Sequence, residues 1–284
     1  MRLGDLEIHL ISDGPFLLDG GAMFGVIPKP LWEKQAPPDQ RNRIRLTMNC
    51  LLVRIPPPRD QWVLIEAGAG DKLDAKRRDI FGLGGPHRLL DRIATLGVKL
   101  EDISLVLNTH LHFDHCGWNT RLVDGRLVPT FPNARYAVQR GELDWAKHPT
   151  ERDRGSYFAE NFIPLEEAGK WWLLEGDGEV APGIRVFRVP GHNRDMQCVR
   201  LDGGGRTVFL PVDLCPTHHH IPVPWVMSFD LYPVLTMENK KKWLAEAARN
   251  NWLCVLCHDA DTPAGYVRER DGKHVFEPAP FDQP

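Results

Sequence analysis

Asn108 to Trp118 reads NTHLHFDHCGW, and positions 110 to 115 hold three histidines and one aspartate as H-x-H-x-D-H. The residues before it, SLVL (104–107), are apolar and rich in branched side chains, the pattern of a buried strand. The polar side chains therefore fall at a strand end and in the loop beyond, where sites form on α/β scaffolds. His110 and His112 are two residues apart, so an extended backbone points both to one side and lets them share a metal. Asp114 and His115 lie one turn further on and can reach a second ion beside the first. A lone histidine is most often a surface polar residue. Nitrogen and oxygen ligands clustered this densely suit zinc or a similar transition metal.

Outside this stretch the chain has the balance of a soluble globular protein, with 42% hydrophobic and 26% charged residues in 284. That length admits about two domains at ~150 residues each, and equally one α/β domain spanning 1–284. We expect the single domain, because the Pro-rich segments at 56–58 and 216–233 both lie inside the span that the site must bring together. A net charge of −3 leaves no electrostatic footprint for nucleic acid or anionic lipid. The beginning, MRLGDLEIHLISDG, is charged from its second residue and alternates like a strand, without the apolar region of a signal peptide, so a cytoplasmic location is expected. The six cysteines are scattered along a long chain, unlike a disulfide framework.

Ten runs read as strands: LEIHLIS, NCLLVRI, WVLIEAG, SLVLNTH, ARYAVQ, KWWLLE, IRVFRVPG, MQCVRL, RTVFLPVD and WLCVLCHD. Two stretches read as helices. HRLLDRIATLG (87–97) carries apolar residues at 89, 90, 93 and 96 and ends on glycine. MENKKKWLAEAARNN (237–251) stacks Leu244 and Ala248 and leaves Lys240 to Lys242 to water. Many strands with fewer helices outside predict a layered α/β architecture.

H-x-H-x-D-H after an apolar strand resembles the metallo-β-lactamase superfamily, and further matches follow in order. WVLIEAGAG (62–70) is similar to its strand and turn, with Glu66 where aspartate is usual; VPGHNRDM (189–196) resembles its Pro-Gly-His element, placing a ligand at His192. FLPVDLCPT (209–217) resembles the strand that delivers a bridging aspartate, Asp213, with Val212 where glycine is usual, and LCVLCHD (253–259) puts His258 after the last core strand. The resemblance implies an αββα sandwich of two mixed sheets flanked by helices. It implies two Zn2+ ions, or Fe, Co or Mn in their place: His110, His112 and His192 hold one, Asp114, His115 and His258 the other, and Asp213 bridges both.

Segments 19–34 and 221–233 resemble the quorum-quenching lactonase branch, in which an N-terminal loop, here 19–46, covers the site and apolar side chains receive an acyl chain. The implied activity is opening of a lactone, N-acyl-homoserine lactones included, by a metal-bridging hydroxide, with Asp114 and Asp213 catalytic. Met23, Phe24, Trp225, Met227 and Phe229 are the pocket candidates. Several relatives carry a tyrosine three residues after the bridging aspartate; Pro216 stands there in this chain. A phosphotriesterase or arylesterase is the alternative. A glyoxalase II type thioesterase adds a helical domain after the last histidine, whereas 284 − 258 = 26 residues follow here. A non-catalytic binding protein on the same fold completes the alternatives. The expected partner is a small-molecule lactone or ester, without nucleic acid or membrane, and a homodimer is open.

Two further motifs have plain readings. CVLCH (254–258) spells a haem-attachment motif but sits in an apolar strand, so Cys254 and Cys257 read as small buried hydrophobes. His218 to His220 read as a solvated loop, since neighbouring side chains on an extended chain diverge.

Overall fold

The computed structural model describes residues 1–85 and 88–281. One sheet of seven strands runs in the order β1-β2-β3-β4-β5-β8-β9, formed by β1 (Arg2–Leu3), β2 (Leu6–Asp19), β3 (Arg43–Ile55), β4 (Gln61–Ile65), β5 (Ile103–Leu107), β8 (Arg135–Gln139) and β9 (Trp171–Leu174). The other runs β10 to β16 in sequence order: β10 (Gly178–Ala181), β11 (Ile184–Arg188), β12 (Gln197–Gly203), β13 (Arg206–Leu210), β14 (Leu253–Val255), β15 (Ala264–Arg270) and β16 (Lys273–Pro278). Strands β6 (Thr120–Val123) and β7 (Arg126–Pro129) form a separate hairpin.

Period-two alternation explains how the layers assemble. Val63 and Ile65 of β4, Val208 and Leu210 of β13, and Leu253 and Val255 of β14 all enter one core between the sheets. Their neighbours Leu64, Phe209 and Cys254 face outward, where helices cover them. Leu89 and Ile93 of the helix Leu89–Thr95 join the cluster holding Leu64, while Trp243, Leu244 and Ala247 of the helix Pro233–Arg249 join that holding Phe209 and Cys254. The result is an αββα sandwich of two mixed sheets. Strand pairs β4–β5, β5–β8, β8–β9 and β13–β14 are parallel. Parallel neighbours need long crossovers, and those after β5 and β13 carry the polar motifs.

All ten expected runs contain strands, but β1, β6, β7, β10, β15 and β16 carry too weak a pattern to be read beforehand. The first helix spans Leu89–Thr95 rather than 87–97, and residue 87 lies outside the described residues. The second begins earlier than expected, at Pro233, whose missing N–H costs nothing at a helix start. The lysine run also needs correction. Lys240 is buried and donates from Nζ to the carbonyls of Pro222 (2.9 Å) and Trp225 (2.8 Å), while Lys241 and Lys242 are exposed.

Segment 19–46 is not an uninterrupted loop. Asp19 accepts from the Ala22 N–H at 2.8 Å and starts the helix Gly20–Phe24, and a second short helix spans Lys29–Trp32 before β3 begins at Arg43. Buried Trp32 packs so closely on Gly20 that a Cβ there would lie 2.4 Å from the indole, so glycine is required. Among the described residues no helix is long and apolar enough to cross a membrane.

Candidate metal centre

Beyond β5 the chain turns into the short helix Phe113–Cys116, and side chains from elsewhere satisfy the turn's backbone. Thr109 N–H donates to Glu66 Oε1 at 2.9 Å, Leu111 N–H to Glu142 Oε1 at 2.8 Å, and Gln197 Nε2 to the Asn108 carbonyl at 2.8 Å. Asn119 Nδ2 donates to Asn108 Oδ1 at 2.9 Å. The turn is thus fixed before any ligand arrives. It presents His110, His112, Asp114 and His115, all buried.

Three other loops converge on it. The turn between β11 and β12 supplies His192, the residues after β13 supply Asp213, and those after β14 supply His258. Asp213 sits at the centre: Oδ2 is 3.2 Å from His192 Nε2, 3.6 Å from His115 Nε2 and 3.8 Å from His110 Nε2, and Oδ1 is 3.2 Å from His258 Nε2. Asp114 Oδ2 lies 3.5 Å from His258 Nε2 and 3.8 Å from His115 Nε2. The ligand-capable atoms form two groups, His110, His112, His192 and Asp213 in one, Asp114, His115 and His258 in the other. A third, Asp213, Cys257 and His258, overlaps them, and Cys257 donates from Sγ to Asp213 Oδ1 at 3.2 Å.

The proton positions test whether cations fit. His258 Nδ1 lies 2.9 Å from the Thr47 carbonyl, which can only accept, so Nδ1 donates there and Nε2 is turned towards the cluster. His115 Nδ1 donates to the Glu66 carboxylate and likewise turns Nε2 towards the cluster. His115 Nε2 and His258 Nε2 face one another at 3.1 Å; burial lowers His115, but Glu66 and Asp213 outweigh it and raise its pKa well above the ordinary imidazole value, so a cation at Nε2 would take the place of a proton. His192 donates from Nδ1 to Asp230 Oδ1 at 2.9 Å, so its Nε2 is turned into the cluster, 3.0 Å from His112 Nδ1. His110 Nε2 is buried without any hydrogen-bond partner, which in water-free surroundings is costly unless a ligand meets it. Burial, reinforced by the neighbouring histidines, holds His110 and His112 well below the ordinary imidazole value, hence neutral as metal ligands must be. Burial would raise the Asp213 carboxyl, but His115, His258 and His192 outweigh it and hold the group ionised. The donor set fits two divalent ions sharing Asp213.

Two departures noted in the sequence acquire a physical account. Glu66, where aspartate is usual, bridges Thr109 N–H and His115 Nδ1 with its two oxygens, from a backbone at φ 68°. Val212, where glycine is usual, has φ 52°, a left-handed conformation in which a β-branched residue is strained by about 1–2 kcal/mol. Its side chain is buried in the core between the sheets, which offsets that strain.

A small pocket opens over the centre, lined by Leu18, Met23, Phe81, Phe113, Ser156, Met227 and Phe229 beside His112, Asp114, His192, Asp213 and His258. Of the five pocket candidates, Met23, Met227 and Phe229 lie on its wall. Phe24 and Trp225 stand behind it, Phe24 stacked on Trp32 (5.2 Å between centroids) and on His220 (5.0 Å), with Trp225 edge-on at 5.6 Å. His220 belongs to this scaffold rather than to a solvated loop: it is buried between Thr217 Oγ1 and the Met23 carbonyl, each 2.8 Å away. His218 N–H donates to Asp259 Oδ2 at 2.7 Å. Pro216, at the position of the relatives' tyrosine, accepts the His258 N–H at 2.9 Å through its carbonyl. The ring of Tyr157 does lie 4.7 Å from that of His112, but its hydroxyl is 3.2 Å from Glu142 Oε1. Sequence reasoning missed Asp230, Tyr157, Glu142 and Ser156, because isolated polar residues far along the chain carry no spacing signal.

The model of the metallo-beta-lactamase superfamily matches residues 45–258. Among curated proteins, an N-acyl homoserine lactonase of Bacillus thuringiensis is 27% identical over 177 residues, 61% of this chain and 63% of the relative. The N-acyl homoserine lactonase AttM of Agrobacterium fabrum is 28% identical over 190 residues, 63% of this chain and 66% of the relative. In both, the match spans slightly less than two thirds of the relative's length. Among solved structures, a probable metal-dependent hydrolase of Staphylococcus aureus superposes with a TM-score of 0.88 at 29% identity, covering 98% of this chain and 99% of that one. The dizinc quorum-quenching lactonase AidC superposes with a TM-score of 0.81 at 19% identity, covering 100% and 97%, a likeness of fold.

Proposed function

This chain belongs to the metallo-beta-lactamase superfamily, and from that premise we propose that it is a metal-dependent hydrolase that opens the ring of a lactone. The observation that carries the reading is the convergence of seven buried histidine and aspartate side chains at the floor of an apolar pocket. His110, His112, His192 and Asp213 would hold one divalent ion, and Asp114, His115 and His258, with Asp213 shared, the other; zinc is the expected metal. Such a pair supplies Lewis-acid polarisation of a carbonyl and a hydroxide at neutral pH.

The chain's own residues prepare that chemistry. Asp230, Glu66 and the Thr47 carbonyl hold three imidazoles by their far nitrogens, so the near nitrogens are aimed before substrate arrives. The apolar wall excludes water and takes the substrate's alkyl portion at about 0.8 kcal/mol per methylene. Asp114 lines the pocket and is the carboxylate placed to pass a proton to the departing ring oxygen. The six cysteines are buried, and burial pushes the Cys116 and Cys257 thiols well up, so neither serves as a nucleophile at neutral pH.

The test is metal analysis of the purified protein followed by kcat/KM over lactones of increasing alkyl length, beside the phosphotriester paraoxon. Two ions per chain and rising kcat/KM with chain length are expected. Far faster turnover of paraoxon than of every lactone would replace this reading with the phosphotriesterase.

A further inference from the structure

Within the pocket over Asp213, hydrogen-bonding capacity is scarce once the metal-ligand candidates are set aside. Leu18, Met23, Phe81, Phe113, Met227 and Phe229 offer hydrocarbon, sulfur or ring faces, and among the described residues Ser156 is the one remaining polar side chain on the wall. The main chain of that wall is largely occupied too. Phe113 N–H donates to the Ser156 carbonyl (2.9 Å), Ser156 N–H to the Asp153 carbonyl (2.9 Å), and Phe81 N–H to the Arg77 carbonyl (2.9 Å). Leu17 N–H meets the Phe81 carbonyl (2.8 Å), His220 Nε2 meets the Met23 carbonyl (2.8 Å), and Met227 N–H is taken by Asp230 Oδ2 (3.3 Å).

An acylamino substituent on a lactone ring carries an N–H and a C=O that point in opposite directions across a trans amide. One serine hydroxyl can meet one of them and cannot reach both. The other would be buried against methionine and phenylalanine without a partner, which is costly for an amide. A plain alkyl chain meets no such cost. Resting on the lactonase reading above, we infer that the pocket selects lactones with an unfunctionalised alkyl substituent over those with an acylamino one, with Ser156 as the pocket's single polar handle.

The experiment compares a γ-alkyl-γ-butyrolactone with an N-acyl-homoserine lactone of equal tail length on the metal-loaded enzyme. The alkyl lactone is expected to have a kcat/KM higher by about tenfold or more. Met227→Gln, which keeps the side-chain length and adds an amide partner, is expected to narrow that ratio several-fold. Ser156→Ala is expected to lower kcat/KM for the acylamino lactone several-fold more than for the alkyl one. Calorimetric binding of the two ring-opened products gives a readout apart from turnover, with the alkyl hydroxy acid about tenfold tighter. An acylamino lactone turned over as fast as the alkyl lactone, or faster, overturns this inference and leaves the lactonase reading standing. Turnover of neither lactone beside rapid turnover of paraoxon overturns both.

Discussion

Asp230 offers the sharpest test of how the centre is held, because it touches a single histidine. Its Oδ1 accepts from His192 Nδ1 at 2.9 Å, its Oδ2 accepts from Met227 N–H at 3.3 Å, and it is buried. Asp230→Ala removes the group that fixes the imidazole's orientation and raises its basicity. Loss of such a partner weakens a metal site by 10- to 100-fold, or about 1.4–2.8 kcal/mol at 1.4 kcal/mol per tenfold. His192 groups with His110, His112 and Asp213, apart from Asp114, His115 and His258. The loss should therefore fall on one ion of the two. Asp230→Asn retains an acceptor oxygen without the charge and should lie between wild type and alanine. Competition with a chelator, followed by metal analysis at each step, resolves the two dissociation events. Wild-type affinity for both ions in Asp230→Ala, or preferential loosening of the ion beside Asp114, would refute the reasoning.

Three more outcomes follow from the same structure. Asp213→Ala removes the carboxylate shared by both groups, so metal content should drop to one ion or none and hydrolysis should vanish; two tightly held ions with normal turnover contradict this. Lys240→Met leaves the Pro222 and Trp225 carbonyls without their donor and should cost about 2–4 kcal/mol, partly offset because no charge need then be buried; urea unfolding would read it, with exposed Lys241→Met as a control within about 0.5 kcal/mol. For Glu142, burial raises the carboxyl from 4.5 to about 7 against the Leu111 N–H and Tyr157 hydrogen bonds. The folded value lies above the unfolded one, so the contribution is complete below about 4.5 and is lost as pH rises to about 7. Glu142→Gln should flatten the stability profile in that window by at most ~3 kcal/mol, which unfolding titrations at several pH values can check.

The centre was legible in the sequence wherever its residues sit at fixed spacing behind an apolar strand. H-x-H-x-D-H, the histidine after Pro-Gly, the aspartate after FLPV and the histidine after LCVLC each follow a short, largely apolar strand run. A strand end is where a parallel sheet delivers side chains, so local pattern pointed to His110, His112, Asp114 and His115, while His192, Asp213 and His258 were implied by the resemblance to the superfamily. The apolar runs of β4, β13 and β14 likewise read as buried strands. Lys240 was misread for the converse reason. Its neighbours in sequence are solvated lysines, and its partners are carbonyls of the Pro222 to Trp225 loop that only the docking of the last long helix brings near.

Asp230 lies 230 − 192 = 38 positions from the histidine it orients, and Ser156 reaches the pocket from a loop between α/β elements with no motif of its own. The same holds for Phe24 and Trp225, which are as apolar as Met23 and Phe229 yet stand behind the wall because Trp32 and His220 occupy Phe24 first. Strand-end chemistry shows itself in close ligand spacing behind an apolar run, which a sequence carries openly. The proton positions, the pocket wall and its shortage of hydrogen-bonding groups depend on which distant side chains fill the same volume, and that is fixed only when the two sheets close.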